Sequence, residues 1–256
     1  MTDSHLIFVD FDGTLISDSY YIPSENIEAI QAVRKKGHKV FLNTGRSYAN
    51  CPPELLSISD CFDGMICGNG SFILYKNKVI RNVHLPFDLF LDLFRYFFNR
   101  PEKCCVFQSC DTILKTGLNA DRFCPEGVNI YSIDEITQNY KDVKINVFCA
   151  EGNLDPDFYA EFGDKIQVYQ CSTYADCVTK GFSKAVGIQK VLELLNHPAE
   201  KTVAVGDSEN DIPMFDCCGI SVAMDNAPDS VRQSADIVSS SSADCGVAKA
   251  LTRLFL

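Results

Sequence analysis

The sequence lacks the patterns that are typical of membrane and secreted proteins. The most apolar stretch, residues 85–98, contains two aspartates and an arginine, so it predicts an amphipathic helix and not a span of about 20 apolar residues. No basic segment followed by a long apolar run opens the chain, and we expect no signal peptide. Basic residues are also scarce: 34 acidic against 23 basic residues give a formal net charge of −11. Because such a surface repels nucleic acid and anionic lipid, we expect neither as a partner.

Zinc and disulfide patterns are missing as well, although cysteine itself is plentiful. The chain has 13 cysteines, an odd number, with no C-x-x-C among them, and its four histidines form no H-E-x-x-H. The doublets Cys104-Cys105 and Cys217-Cys218 have no His or Cys at zinc spacing. We therefore expect reduced, mostly buried thiols in a cytoplasmic protein.

Strand and helix signals alternate near both ends of this chain, whose 256 residues can bury a sizeable core. Helical periodicity predicts a first helix that Ser24 caps and Gly37 ends. Short apolar runs predict strands at residues 6–10, 39–43, 64–67, 202–205, 220–223 and 236–238. This alternation is typical of a parallel sheet covered by helices on both faces.

The middle of the chain lacks the alternation. A hairpin is predicted at residues 72–81, and after it helices and strands mix irregularly. The helices are predicted at 86–99, 133–140 and 157–162, and the strands at 104–108, 112–115, 143–149, 166–171 and 176–179. We therefore predict an α/β fold whose core comprises residues 1–82 and 183–256, with a separate domain inserted at residues 83–182.

Polar residues stand where the predicted core strands end. Asp10 ends the first strand and Asp12 follows it, Thr44 follows the second strand, and Asp207 follows a late one. Lys184 stands at the start of the helix that enters the second half of the core. Because ligands of such sheets bind at the carboxyl ends of the strands, we expect these side chains to meet at one edge.

Two of these carboxylates suit phosphoryl transfer. A carboxylate such as Asp10 can act as a nucleophile and form an aspartyl phosphate. Because it repels the phosphate group, a hard cation has to bridge the two, and Mg²⁺ binds one or two carboxylates plus water and phosphate oxygens. Asp10 and Asp207 can supply these carboxylates.

The other candidates supply positive charge, hydrogen bonds and protons. Lys184 can neutralise a phosphate oxygen, and the Thr44 hydroxyl and the Gly45 N–H can donate to one. Asp12 is close enough in sequence to protonate the departing oxygen and later to activate water. Each residue alone also has a structural interpretation: Asp12 as part of a turn, Asp207 as a helix cap, Lys184 as a surface lysine. Their joint placement at strand ends favours the catalytic interpretation.

Four short motifs together resemble the haloacid dehalogenase (HAD) superfamily of phosphatases. They are residues 10–14 (DFDGT), 43–46 (NTGR), 180–184 (KGFSK) and 206–211 (GDSEND). The pattern is most similar to the Cof-like branch, whose cap is inserted after the third core strand. The resemblance thus implies a Rossmann-like parallel-sheet core with an inserted α+β cap domain, acting on a small phosphorylated metabolite.

The resemblance also implies a role for each motif residue. Asp10 is expected to be the nucleophile, and Asp12 the general acid and base. Asp10, Asp207 and the main-chain carbonyl of Asp12 are expected to bind Mg²⁺. Asn210 is expected to hold the phosphoryl group with Thr44, Gly45 and Lys184. Asp211 is expected to support the metal site or Lys184 from a second layer.

The cap is expected to close over the core and supply substrate contacts. From the core, Arg46 is a possible substrate contact. From the cap, the candidates are Lys115, Arg122 and Tyr174, each of which also suits ordinary surface. Closure would exclude water and strengthen electrostatic interactions at the phosphoryl site.

Three other functions stay open at this stage. A phospho-accepting signalling domain is also a parallel sheet with acids, Thr and Lys, but it is about half as long and its phosphorylated aspartate ends the third strand. A phosphosugar mutase would share the whole core, and release of free phosphate would exclude it. A non-catalytic sensor of phosphorylated metabolites is the third. Neither the substrate nor the oligomeric state can be predicted.

Overall fold

The computed structural model describes residues 4–17, 21–171 and 173–256. In chain order its strands are β1 (Leu6–Val9), β2 (Lys39–Asn43), β3 (Gly64–Cys67), β4 (Phe72–Tyr75), β5 (Lys78–Asn82), β6 (Cys105–Gln108), β7 (Ile113–Thr116), β8 (Val128–Asn129), β9 (Val147–Glu151), β10 (Ile166–Gln170), β11 (Tyr174–Thr179), β12 (Thr202–Gly206), β13 (Ile220–Ala223) and β14 (Ile237–Val238). Its α-helices are α1 (Ser24–Lys35), α2 (Pro53–Ser57), α3 (Phe87–Phe98), α4 (Ala120–Phe123), α5 (Ile133–Asn139), α6 (Pro156–Phe162), α7 (Lys184–Leu195), α8 (Ile212–Cys217), α9 (Asp229–Gln233) and α10 (Gly246–Phe255).

The larger sheet has the strand order β14-β13-β12-β1-β2-β3-β4-β5, counted over the described residues. The six strands from β14 to β3 are parallel, and the β4–β5 hairpin continues the sheet in the antiparallel sense. In register, Val9 lies between Leu42 and Val205. The residues that follow these three positions therefore emerge at one edge of the sheet.

Helices cover both faces of this sheet because its central strands are apolar on both sides. Ile7 and Val9 pack with residues of α1 and α10, including Val33 and Leu251. On the other face, Leu6 and Phe8 of the same strand pack in a cluster with residues of α7 and α8, including Ile188 and Met214. Each fully buried side chain of this kind contributes about 1.5–3 kcal/mol, so the sheet is a firm base for residues at its edge.

A second sheet, in the order β10-β11-β9-β6-β7-β8, is formed by the middle of the chain. Its neighbouring strands are antiparallel except for β7 and β8. Its core is aromatic: the Phe107 ring centroid lies 5.2 Å from that of Phe90 and 5.4 Å from that of Phe148. The fold is thus α/β, with a parallel-sheet core and an inserted α+β cap. The exact limits at residues 82/83 and 182/183 stay a prediction.

Two local predictions are wrong. The strand expected from residue 143 begins at Val147, because the backbone before it bonds elsewhere: the Val143 N–H donates to Tyr140 O at 3.1 Å, and Ile145 O accepts from the Leu85 N–H at 2.8 Å. Ser24 does not cap α1: the residue before the helix is Pro23, and the Ser24 hydroxyl bonds Glu25 at 3.3 Å. Helices α4 and α9 and strand β8 were not expected, since they are too short for a periodic signal.

Two predictions about the whole chain can also be compared with the fold. All thirteen cysteines lie within the described residues and are free thiols, but six are buried and seven are partly exposed, so the expectation that most are buried is wrong. Among the described residues, no helix has both the length and the apolar character needed to cross a bilayer.

Candidate active site

Asp10 lies at the centre of the site because β1 ends one residue before it. Its N–H continues the sheet ladder by donating to Val205 O at 2.9 Å. Its side chain turns into the edge of the sheet, and the residue is 3% exposed. There the Lys184 Nζ donates to Asp10 Oδ1 at 2.6 Å and to Asp211 Oδ1 at 2.5 Å.

Lys184 is not a surface lysine but is 1% exposed at the start of α7. The hydroxyl of Ser183 caps this helix by accepting from the Val186 N–H at 3.3 Å. Burial alone would lower the pKa of Lys184, but the neighbouring carboxylates of Asp10 and Asp211 raise it above its ordinary value. The lysine is therefore a buried, fixed positive charge between two acids.

Asp211 uses both of its oxygens within the protein. One accepts from Lys184, and the other accepts from the N–H groups of Asp207 at 2.9 Å and Ser208 at 3.0 Å. Gly206 leaves room for this arrangement, since a Cβ there would lie 2.5 Å from Asp211 Oδ2. Asp211 thus orients Lys184 and the loop that carries Asp207.

Asp207 approaches from the end of β12. Its Oδ1 accepts from the Thr14 hydroxyl at 2.8 Å. The other oxygen lies directly over Gly13, where a Cβ would be 2.2 Å away, and Gly13 has φ +75°. Both the left-handed backbone and the close approach therefore require glycine at position 13.

Asp10, Asp207 and Asp211 form a cluster that could hold a metal ion. One ligand atom from each lies within 4.8 Å of the others. All are carboxylate oxygens, the donors that hard divalent cations prefer. Three carboxylates face a single ammonium group, and their charges are not balanced within the cluster.

The pKa values of the cluster reflect this imbalance. Burial raises the pKa of Asp10 well above its ordinary value; Lys184 opposes the shift, and the carboxylates of Asp211 and Asp207 add to it. Burial and then Asp211 raise the pKa of Asp207 to about 6. A bound divalent cation would balance the charge, so the residues fit such an ion.

Asp12 is turned away from this cluster. Its carboxylate forms a two-bond ion pair with Arg46, with Nε to Oδ2 at 2.7 Å and Nη2 to Oδ1 at 2.8 Å. The Asp12 side chain is 49% exposed, so the pair contributes at most about 1 kcal/mol. Arg46 also donates to Asn50 O at 3.2 Å. The structure thus pairs Asp12 with Arg46, and this ion pair is weak enough to break when a substrate binds.

Thr44, Gly45 and Asn210 complete the edge of the site. Thr44 is buried, and its hydroxyl oxygen accepts from the Arg46 N–H at 3.1 Å, which leaves the hydroxyl hydrogen available. A Cβ on Gly45 would lie 3.6 Å from Asn210 Nδ2. The expected phosphate-binding groups Thr44, Gly45 and Asn210 therefore lie at the same edge of the sheet as Asp10, where β1, β2 and β12 end.

Two side chains near Gly45 were not among the site residues predicted from the sequence. The same Cβ position lies 3.2 Å from Asp176 Oδ2 and 3.5 Å from Asn69 Nδ2. Asn69 follows β3, so the strand-end argument could have found it. Asp176 lies within β11 of the cap, and no sequence signal places that strand over the core.

The three cap candidates differ in position. Lys115 is buried within the cap, where its ammonium bonds Cys124 O at 2.7 Å and the Asp121 carboxylate at 2.7 Å. Arg122 is exposed. Tyr174 is near the site: burial and then Asp176 raise its pKa above the ordinary value.

Comparison with known proteins shows to which family the chain belongs. A family model described as haloacid dehalogenase-like hydrolase matches residues 7–251. The chain belongs to this family. This HAD-like hydrolase is 30% identical to YkrA of Bacillus subtilis over 99% of both chains. It is 29% identical to the 5-amino-6-(5-phospho-D-ribitylamino)uracil phosphatase YcsE of the same organism, over 97% of this chain and 95% of that one.

A solved structure agrees with the assignment. The sugar phosphatase BT4131 of HAD subclass IIB aligns with the HAD-like hydrolase at a TM-score of 0.84 and 25% identity, covering 97% of this chain and 98% of the other. The resemblance seen in the four motifs is thus confirmed. HAD phosphatases generally use a divalent metal, and the cluster of Asp10, Asp207 and Asp211 could bind one.

Proposed function

We propose that this HAD-like hydrolase is a Mg²⁺-dependent phosphatase that releases phosphate from a small phosphorylated metabolite through an aspartyl phosphate formed on Asp10. A sugar phosphate or a similar phosphomonoester is the expected substrate class. The observation that carries the proposal is the buried contact of Asp10 with Lys184 at 2.6 Å, next to the carboxylate of Asp207.

The nucleophile in this proposal is the Asp10 oxygen that Lys184 does not hold. It attacks phosphorus, an O–P bond forms to Asp10, and the bond from phosphorus to the ester oxygen breaks. The departing oxygen takes a proton from Asp12 and leaves as an alcohol. Water then attacks the phosphorus of the aspartyl phosphate, the P–O bond to Asp10 breaks, and Asp12 accepts a proton from the water. Phosphate is released, and the Asp10 carboxylate and the protonated Asp12 are restored.

Asp12 has to leave Arg46 to carry out these proton transfers. The exposure of the pair makes this exchange inexpensive. The Arg46 donors that Asp12 leaves, Nε and Nη2, can then turn to the substrate, which keeps Arg46 as a possible substrate contact. A phosphate oxygen is a natural acceptor for its planar donor pair.

The remaining groups hold the phosphate and the cation. The Thr44 hydroxyl, the Gly45 N–H, the Asn210 amide and the Lys184 ammonium are all donors, which suits the anionic phosphoryl group. The Asp10 and Asp207 carboxylates and the Asp12 carbonyl would hold Mg²⁺, which when bound would offset the repulsion between carboxylate and phosphate. Asp211 positions Lys184 and the Asp207 loop.

The test compares Asp10→Asn with Asp92→Asn, a control on the exposed side of α3. Hydrolysis of para-nitrophenyl phosphate with Mg²⁺ should fall by roughly three orders of magnitude or more in Asp10→Asn and stay at the wild-type rate in the control. Undiminished activity of Asp10→Asn would sink the proposal. Free phosphate as the product separates hydrolysis from a mutase reaction, and activity of any kind separates it from a sensor.

We also propose a cytoplasmic location. The support is the thirteen free cysteines, because disulfides form and persist mainly in oxidising compartments. The net charge of −11 supports a small metabolite over nucleic acid as the partner.

A further inference from the structure

The amide of Asn69 is a buried polar group without a partner. The residue is 1% exposed, and neither its Nδ2 nor its Oδ1 has a hydrogen-bond partner among the described residues. Buried side-chain amides in folded proteins are nearly always hydrogen-bonded, so an unpartnered one calls for an explanation. A ligand that supplies the missing bonds is one.

The backbone holds Asn69 firmly at the active site. It lies in the turn after β3 with φ +50°, between Gly68 at φ +58° and Gly70 at φ +89°. Its N–H donates to Thr44 O at 3.3 Å, and the Gly68 N–H donates to Arg46 O at 2.8 Å. The turn is thus joined to the loop that carries the proposed phosphate ligands, and the amide points toward Gly45.

Asp176 reaches the same place from the cap. Its neighbours Ala175 and Cys177 are fully buried in the aromatic core of the cap. Because side chains alternate along a strand, Asp176 points out of that core, toward the parallel sheet. Its Oδ2 and Asn69 Nδ2 lie 3.2 Å and 3.5 Å from the position that a Cβ on Gly45 would occupy, so both polar groups lie next to Gly45.

The two groups complement a hydroxyl. A carboxylate only accepts hydrogen bonds, whereas an amide both donates and accepts. A hydroxyl on the substrate could donate to Asp176 and accept from Asn69 at the same time. A carboxylate on the substrate would be repelled by Asp176, and an alkyl chain would leave the Asn69 amide unpartnered, which discriminates strongly against it.

We infer that Asn69 and Asp176 form one subsite that binds a hydroxyl of the leaving alcohol next to the phosphate. The preferred substrates are then phosphomonoesters of uncharged, polyhydroxylated alcohols. The inference rests on the proposed phosphatase function and deepens it.

The test uses three matched esters and para-nitrophenyl phosphate. Glycerol 3-phosphate carries two hydroxyls, n-propyl phosphate carries none, and 3-phosphoglycerate carries a carboxylate and one hydroxyl. The wild type should have a kcat/KM for glycerol 3-phosphate at least roughly tenfold above that for n-propyl phosphate, the factor that one net hydrogen bond is worth. In Asn69→Ala and in Asp176→Ala this ratio should fall toward one. The exposed cap variants Asn153→Ala and Asp164→Ala serve as matched controls and should keep the wild-type ratio.

The conservative variant Asp176→Asn separates charge from shape. It keeps hydrogen-bonding groups but loses the negative charge, so it should raise kcat/KM for 3-phosphoglycerate relative to glycerol 3-phosphate. A loss of folding does not produce such a gain, and the melting temperature of each variant checks folding directly. Ratios that stay at the wild-type value in Asn69→Ala, Asp176→Ala and Asp176→Asn would overturn the subsite.

The two proposals fail differently. If the wild type hydrolyses no phosphomonoester with Mg²⁺, the proposed function itself is wrong. If it hydrolyses para-nitrophenyl phosphate but does not favour glycerol 3-phosphate over n-propyl phosphate, only the subsite is wrong.

Discussion

Replacement of Lys184 by methionine tests the electrostatics of the site most fully. The substitution keeps the approximate length of the side chain and removes the ammonium group that contacts Asp10 and Asp211. Breaking a buried ion pair by removal of one partner costs about 3–5 kcal/mol, because the other charge stays buried. For a chain of this size that corresponds to a fall in melting temperature of roughly 6–20 °C.

The effect of pH on this loss follows from the direction of the pKa shifts. Lys184 lowers the pKa of Asp10, so its removal raises that pKa further. A raised pKa in the folded state means that the folded protein binds the proton more tightly than the unfolded chain does, and stability then rises as pH falls. Protonation of the cluster should therefore make the deficit of Lys184→Met smaller at pH 5.5 than at pH 7.5.

Lys115→Met is the matched control. Lys115 is also 1% exposed, but its carboxylate partner, Asp121, is 75% exposed. The carboxylate that this control leaves behind is solvated, so its deficit should change little between the two pH values. Calorimetric melting of the metal-free wild type and of both variants, at pH 5.5 and at pH 7.5, gives the deficit of each variant at each pH. An equal deficit of Lys184→Met at both pH values would refute the reasoning.

Three further predictions concern the metal and its loop. Asp207→Ala should remove most of the rise in melting temperature that Mg²⁺ produces in the wild type, as a thermal-shift titration would show; an unchanged rise would exclude Asp207 as a ligand. Activity at limiting Mg²⁺ should fall as pH drops through about 6, since protonation of Asp207 competes with the metal. The midpoint of the pH–rate profile should therefore move to lower pH as the Mg²⁺ concentration is raised. A midpoint that does not move with Mg²⁺ would contradict this. Gly13→Ala should reduce kcat by about 100-fold or more, because its Cβ would meet the Asp207 carboxylate 2.2 Å away; Gly152→Ala, also at positive φ but in open space, is the control and should keep its kcat.

Local signals were sufficient for most of the core. The strands at residues 39–43, 64–67 and 220–223 match the prediction at both ends, because short apolar runs there are bounded by turn and charged residues. The meeting of Asp10 with Asp207 followed from a general property of parallel sheets: strand ends share one edge. Neither argument needs contacts between distant segments to be known.

The features that the sequence did not predict depend on side-chain orientation and on packing between distant segments. The position of Asp12 was expected, but its carboxylate turns to Arg46, which no spacing predicts. Asp176 reaches Gly45 only because β11 of the cap lies over the core. The early start predicted for β9 failed because the backbone of residues 143–145 bonds the turn before it and the segment after β5 instead of a neighbouring strand.

The central claim is the covalent aspartyl phosphate formed on Asp10, and chemical trapping tests it most directly. Enzyme is quenched in acid during turnover, treated with borohydride and digested for peptide mass spectrometry. Borohydride reduces an aspartyl phosphate to homoserine, so the account predicts homoserine at position 10 in samples quenched during turnover and aspartate there in samples without substrate. Homoserine at position 12 or 207 instead, or unmodified Asp10 while phosphate is being released, would contradict it.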